Sequence, residues 1–245
     1  MRSRSILKWV SLGMLLYTLS AIVNMTTSMT VAASNPLTDE QDTYQQALFH
    51  KFDQLHTEQV VLITAMNNKT FKGKLQIYNK QNGQWKLQIP ALPVVLGQKG
   101  LGKTKEGDGK TPLGTYSLGT AFGTASKPEG LKMNYQFHTA QDYWIDDVDS
   151  IDYNQKVTET GNPNQRWASY ERMNNPLYTY GIVVNYNMDP IIKGKGSAIF
   201  MHIWRASNRP TDGCIALSED NLLKVLQAID PAKSPKIRIG TVQAR

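Results

Sequence analysis

Cys214 is the only cysteine among 245 residues, and His202 precedes it in GSAIFMHIWRASNRPTDGCIALS, residues 196–218. An apolar run ends at His202. A loop carrying Asn208 and Pro210 follows, and Asp212-Gly213-Cys214 opens the next apolar run. If the two runs pair, the loop closes back and brings imidazole and thiol together. A free thiol ionises near pH 8.5, so a nucleophilic cysteine needs a neighbouring base. Gly213 leaves the backbone uncrowded beside the sulfur, and the N–H groups at Gly213 and Cys214 could face an oxyanion. A carbonyl near Ile203, or the Asp212 carboxylate, could orient the imidazole. The same spacing also fits a buried apolar cysteine and a core histidine.

A second chemical pattern competes with the first. Gly97–Thr104 reads GQKGLGKT after the apolar run ALPVVL, matching the phosphate-binding loop G-x-x-x-x-G-K-[ST]. Such a loop works by running into a helix whose N-terminus meets the phosphates. Here KEGDGKTPLGTY follows, with Gly107, Gly109, Pro112 and Gly114 in the stretch where the helix belongs. Each Gly costs a helix about 1 kcal/mol and an interior Pro about 3 kcal/mol. The pattern therefore predicts strand, glycine-rich loop, then a strand near Thr115–Leu118, and no nucleotide. The four histidines show no metal-ligand spacing with the cysteine, so no metal is expected.

Short strands must position these groups. They are expected at Val60–Thr64, Gly73–Tyr78, Gln84–Ile89, Leu92–Leu96, Gly181–Tyr186, Ser197–Ile203, Cys214–Leu217 and Lys236–Ile239. Residues 119–180 read as mostly irregular. Ser218 is placed to cap a helix with the stripe Leu222, Val225, Leu226 and Ile229, ended by Pro231. Near the start, Thr38 to Gln41 fits a capping box, and Tyr44, Leu48, Phe52 and Leu55 predict an amphipathic helix over 39–56, outside the main domain. Asp146, Asp147, Asp149 and Asp152 lack the calcium-loop pattern and are expected in a solvated loop paired with lysines.

Arg2, Arg4 and Lys8 precede an interrupted apolar run, and Val31-Ala32-Ala33 offers a signal-peptidase site. Residues 1–33 are thus expected to be a signal peptide or an N-terminal anchor, with a helical lead-in over 34–58 and the main domain over 59–245. Either alternative puts the domain outside the cytoplasm, and membrane attachment follows only if the segment is uncleaved. The formal charge of +7 falls to +4 when those three cations go. That suits an anionic envelope surface, and no basic run with interleaved aromatics argues for nucleic acid.

GIVVNYN, GKGSAIFMHIW and PTDGCIALS, with the following helix and strand, resemble the L,D-transpeptidase catalytic domain of the YkuD type. EGDGKTPLGTYSL resembles that family's upstream D-G-x-T-P-x-G loop, and YWIDD and DYN resemble one exported branch. The resemblance covers about 60–245 and implies a mainly β, β-sandwich-like domain with one helix in its C-terminal half. It implies action on peptidoglycan stem peptides without metal or organic cofactor. Cys214 would be the nucleophile and His202 the base, supported by Gly213 and the Ile203 carbonyl.

Many members carry His where Asp212 stands, and Arg or Asn soon after the cysteine, where Ala216 and Leu217 follow here. Trp204 and Arg205 are expected at the cleft, and Arg209 in a salt bridge with Asp212 or on a substrate carboxylate. Transfer of the acyl group to an amine leads. Hydrolysis by an L,D-carboxypeptidase or amidase, and a non-catalytic wall-binding module, are the alternatives.

Overall fold

The structure, a computed structural model, describes residues 36–242, with side chains from residue 45 onward. The expected export segment 1–33 lies outside the described residues. Among the described residues, 36–43 and 44–242 fall in two separate units. Their boundary falls inside the first helix, α1 (Pro36–Asp53). This helix begins at Pro36, ahead of the expected cap at Thr38, with Pro at a position that lacks an N–H partner in any case.

The strands in chain order are β1 (Gln59–Ala65), β2 (Lys72–Gln81), β3 (Gln84–Val95), β4 (Gly114–Gly123), β5 (Tyr135–Phe137), β6 (Asp142–Trp144), β7 (Lys156–Thr158), β8 (Glu171–Arg172), β9 (Gly181–Val184), β10 (Phe200–Ile203), β11 (Ile215–Leu217) and β12 (Lys236–Thr241). A second helix, α2 (Glu219–Ala228), separates β11 from β12. The main sheet runs β12-β1-β2-β3-β11-β10-β9-β4-β5, and β12 also pairs with β4. That last pairing closes the sheet on itself. The mainly β expectation holds, but the sandwich becomes a barrel-like ring, which leaves fewer open edges.

Alternation along the strands sorts side chains to the two faces of the sheet. Val61, Ile63, Leu75, Ile77, Ile182, Val184, Met201, Ile215, Leu217, Ile237 and Ile239 form one core, joined by Leu222, Val225 and Leu226 of α2. The opposite faces carry two further clusters. Val60, Leu62 and Tyr78 receive Leu48 and Phe52 of α1, so this half of the helix packs on the sheet. Phe122, Val183, Phe200 and Cys214 pack with Trp144, Met173, Tyr178 and Ala198. The candidate nucleophile therefore lies on the outer face, beneath the chain between β4 and β9. That stretch, read as irregular, holds a three-stranded sheet, β7-β6-β8, and two short 3₁₀ turns.

Local differences have local causes. β3 is one strand containing Pro90 and Pro93, where two strands were expected over Gln84–Ile89 and Leu92–Leu96. Its second edge meets β11 only at Val95↔Ala216, so the prolines remove no ladder donor there. Asn82-Gly83, both at positive φ (51 and 78), closes the β2–β3 hairpin. Ser218 occupies the cap position of α2 without a side-chain hydrogen bond.

The glycine loop is strand, loop, strand, with no helix after Thr104. Its backbone donors are occupied. Thr104 N–H and Lys105 N–H donate to Asp108 Oδ2 at 2.8 and 3.2 Å, and Lys110 N–H to Oδ1 at 3.1 Å. The Lys103 ammonium, which would reach a phosphate, is buried against Asp108 at 3.2 Å. Burial opposes ionisation of Asp108, but these donors and Lys103 outweigh it and hold its carboxyl below the usual range. Asp108→Ala leaves a buried ammonium unpaired, at a cost of about 3–5 kcal/mol. Urea denaturation measures this loss, and a midpoint equal to wild type would refute it.

His138 is 3% exposed, stacks on Phe122 at 5.1 Å and has no hydrogen-bond partner for either ring nitrogen among the described residues. Burial lowers its pKa to about 4. A histidine depressed in the folded state stabilises fully above its unfolded pKa near 6.5, and that stability drains away as pH falls towards 4. Linkage puts the loss at pH 5 at about 2 kcal/mol. In thermal melts, His138→Leu should lessen the drop in Tm between pH 7.5 and 5. An unchanged drop would count against this account.

Candidate active site

Cys214 and His202 are brought together by the parallel pairing of β10 and β11. The register is Met201↔Ile215, His202↔Ala216 and Ile203↔Leu217. Cys214 lies one step before β11, so it falls opposite Phe200 and on the same face as His202. The two side chains are diagonal neighbours on adjacent strands and line one cavity of about 430 Å³. Trp204, Arg205, Arg209, Asp212 and Gly213 line it too. Ile203 instead turns its side chain to the main core.

The sulfur is 8% exposed and His202 5%. Sγ donates to the Ala198 carbonyl at 3.2 Å and accepts from Phe200 N–H at 3.4 Å. Ala198 is left-handed (φ 53), a strained state for a residue with a Cβ. Its N–H is held by Asn154 Oδ1 at 3.1 Å, which fixes the turn that aims its carbonyl at the sulfur. His202 Nδ1 lies 2.8 Å from the Ile203 carbonyl. A carbonyl can only accept, so Nδ1 carries the proton and Nε2 is left as the basic nitrogen. No hydrogen bond joins Nε2 to Sγ in this structure. Catalytic contacts are often long before substrate binds.

Burial dominates the electrostatics. It pushes the Cys214 thiol well above its ordinary range, assisted by Glu171 and Asp212, while Phe200 N–H and Lys103 oppose it. Burial also lowers His202 to about 4; the Ile203 contact works against this and Arg205 with it. The resting pair is thus neutral thiol and neutral imidazole, not an ion pair.

The glycine-rich loop supports the turn that presents the sulfur. Thr111 Oγ1 accepts from Gly97 N–H at 2.8 Å and donates to the Cys214 carbonyl at 3.4 Å. Thr211 Oγ1 donates to the same carbonyl at 2.7 Å and accepts from Gly213 N–H at 3.2 Å. The Gly213 N–H, expected to face an oxyanion, is therefore engaged. Gly213 itself sits at φ 152, where an added Cβ would come 3.0 Å from the Lys110 carbonyl. Asp212 is exposed and accepts from Gln98 Nε2 at 2.9 Å. It forms no salt bridge with exposed Arg209, so of the two expectations for Arg209 the ion pair is not observed.

The YkuD family, the L,D-transpeptidase catalytic domain, matches residues 67–239. The chain belongs to the YkuD family. A search of curated proteins gives no match. Two crystal structures of the helical cell shape determining protein Pgp2 from Campylobacter jejuni are similar. One, a point mutant, has 20% identity over 76% of this chain and 47% of that one, with a TM-score of 0.40. The other has 21% identity, 76% and 48% coverage, and a TM-score of 0.39. The chain spans about half the length of these proteins.

In this YkuD domain the YWIDD and DYN stretches brace the site. Asn154 Oδ1 accepts from Trp144 Nε1 at 3.0 Å as well as from Ala198 N–H, and its amide donates to the Asn187 carbonyl at 2.7 Å. The acidic run is held by Arg166, the Trp167 indole and backbone donors, with one lysine of the expected kind, Lys193, donating to the Asp149 carbonyl at 3.0 Å. Asp152 pairs with Arg166 at 3.0 Å, and Asp147 accepts from Ala168 N–H at 2.8 Å. Asp146 lines the cavity and has one buried oxygen without a partner. Sequence reasoning gave no role to Ala198, which it read as part of a strand, and missed Glu171 and Tyr178, which carry no periodicity and no spacing to His202 or Cys214. Among the described residues, no group of three or more His, Cys, Asp or Glu could hold a metal ion.

A neutral, buried thiol reacts slowly with an electrophile. Iodoacetamide should label Cys214 more slowly than free cysteine at pH 7, with the rate still rising beyond pH 9. Intact mass is unambiguous with a single cysteine, and a plateau below pH 8 would contradict the neutral pair.

Proposed function

We propose that this protein is a peptidoglycan L,D-transpeptidase that works outside the cytoplasm, with Cys214 as nucleophile and His202 as base. The reading is supported above all by one observation: in a YkuD domain, the lone thiol and an imidazole tied at Nδ1 to a carbonyl share one face and one cavity. Sγ attacks the carbonyl of the diamino acid before a terminal D-alanine while Nε2 takes the thiol proton. The tetrahedral carbon collapses, Nε2 returns that proton to the leaving amine, and D-alanine departs to leave a thioester. An amine of a second stem then attacks the thioester and gives its proton to Nε2, which passes it to the departing sulfur, so that the new amide leaves and the neutral thiol and imidazole are restored.

Because both groups rest neutral, proton transfer accompanies attack rather than preceding it. With Gly213 N–H engaged by Thr211, the N–H of Cys214 is the remaining nearby donor for the oxyanion. Arg205 and Arg209, exposed at the cavity, suit the terminal carboxylate of the donor stem.

A tetrapeptide-stem muropeptide mixed with the protein should give an acyl adduct by intact mass, absent in Cys214→Ala. His202→Ala should slow acylation about 10²–10⁴-fold. Crosslinked dimers identify transfer, whereas shortened stems alone would replace it with hydrolysis. Identical products from wild type and Cys214→Ala would reject cysteine chemistry altogether.

A further inference from the structure

The cavity that holds Cys214 and His202 contains a carboxyl group with no part in the reaction as written. Glu171 lies on β8, fixed by the pairing Glu171↔Trp144, and Trp144 packs edge-on against Phe200 at 4.9 Å. Its Oε2 accepts from the Tyr178 hydroxyl, and its other oxygen makes no hydrogen bond among the described residues. Tyr178 is buried, with its ring edge-on to His202 at 5.2 Å, to Phe200 at 5.7 Å and to Phe122 at 5.9 Å. Glu171, Tyr178, His202 and Cys214 all line the same cavity.

We propose that Glu171 is a positioning residue of this site: its carboxyl anchors the Tyr178 ring that seats the His202 imidazole, and it places a negative charge across the cavity from the Cys214 sulfur. The inference rests on the cysteine reading above, but its test does not require turnover. After burial, Glu171 is the largest influence keeping the thiol protonated. Burial pushes Glu171 itself up to about 7, with Asp146, Asp212 and Glu106 adding to the rise and the Tyr178 hydroxyl opposing it. These groups face Glu171 from the segments after β6, before β11 and before β4. Lys103, Arg172, Arg205 and Arg209 supply the positive charge around the cavity. Above neutrality the carboxylate holds the thiol closed, and below neutrality the acid form releases that restraint. The Tyr178 hydroxyl stays a donor throughout, since burial and Glu171 hold its pKa far above its ordinary value.

The test is the rate of iodoacetamide labelling of Cys214 between pH 6 and 10, read by intact mass on the full chain. Glu171→Gln removes the charge but keeps an acceptor for Tyr178. Labelling at pH 8 should rise about tenfold, the effect of a one-unit shift, while Glu171→Asp should follow wild type. Tyr178→Phe keeps the ring but deprives Glu171 of its donor. It should move the carboxyl inflection near pH 7 upwards in the profile of muropeptide acylation. A Glu171→Gln profile that superimposes on wild type, with a native circular dichroism spectrum, overturns the proposal. If that variant fails to fold, an unmoved inflection in Tyr178→Phe overturns it instead. If muropeptides never acylate the protein, the same inflection is sought in the wild-type labelling profile. A labelling shift without acylation would leave the role of Glu171 standing and remove the transpeptidase reading.

Discussion

The parallel pairing of β10 with β11 is the constraint on which the rest depends. Side chains alternate along a strand, so a slip of one residue would send Cys214 to the apolar interior and leave His202 alone on the outer face. The register is pinned from both faces. Met201, Ile215 and Leu217 are buried in the main core, while Phe200 and Cys214 pack under Trp144 and Tyr178. Parallel strands need a crossover, and here the segment between Ile203 and Ile215 is that crossover. It brings Arg205, Arg209 and Asp212 to the cavity rim as it returns. The site is thus a by-product of connecting these two strands, and its charged edge comes from the same connection.

Keeping both reactive groups dry has an energetic logic. A thiolate–imidazolium pair in this apolar setting would be costly to desolvate, and the backbone offers the sulfur one acceptor and one donor, Ala198 O and Phe200 N–H. A neutral thiol satisfies the acceptor as well as the donor; a thiolate would be repelled by the Ala198 carbonyl. The left-handed Ala198 is therefore more than a turn residue. Its conformation aims the carbonyl that accepts from the neutral thiol, and attack on a substrate carbonyl requires the sulfur to leave that contact. The same dryness that raises the thiol's pKa strengthens each hydrogen bond a bound substrate makes.

The sequence carried a good deal of this because the most informative signals were local. The strands on the core side have apolar runs bounded by turn residues, and α2 shows a complete stripe from Leu222 to Ile229. His202 and Cys214 end such runs, and the Gly213 that frees the backbone between them stands in the motif itself. What it did not reveal lies where contacts are non-local. Closure of the sheet depends on β12 meeting β4, strands separated by more than a hundred residues with no pattern linking them. Glu171 and Tyr178 belong to a stretch where two-residue strands and 3₁₀ turns replace periodicity. The Asp212–Gln98 contact joins two loops, and a sequence offers Asp212 the adjacent Arg209 more readily than a distant amide. The apolar half of α1 was visible as Leu48 and Phe52, but its docking face on Val60, Leu62 and Tyr78 was not.

The glycine-rich loop shows why a motif must be judged by where its donors go. In GQKGLGKT every residue type needed to cradle a phosphate is present, but Gln98 to Lys103 N–H donate to backbone carbonyls, and only Thr104 N–H, with Lys105 and Lys110 N–H beyond the motif, meets an anion. That anion is the Asp108 carboxylate, supplied by the chain four residues after Thr104. An internal carboxylate held by three N–H groups and a buried lysine leaves no vacancy for an external phosphate. Without a following helix there is no dipole to add. The loop instead becomes rigid, and Thr111 uses that rigidity to fix the Cys214 carbonyl from below while Thr211 fixes it from the side. The same physics that makes such loops good ligand sites, convergent donors on a stiff backbone, here serves to hold a neighbouring turn still. Its contribution to function passes through the position of one sulfur atom.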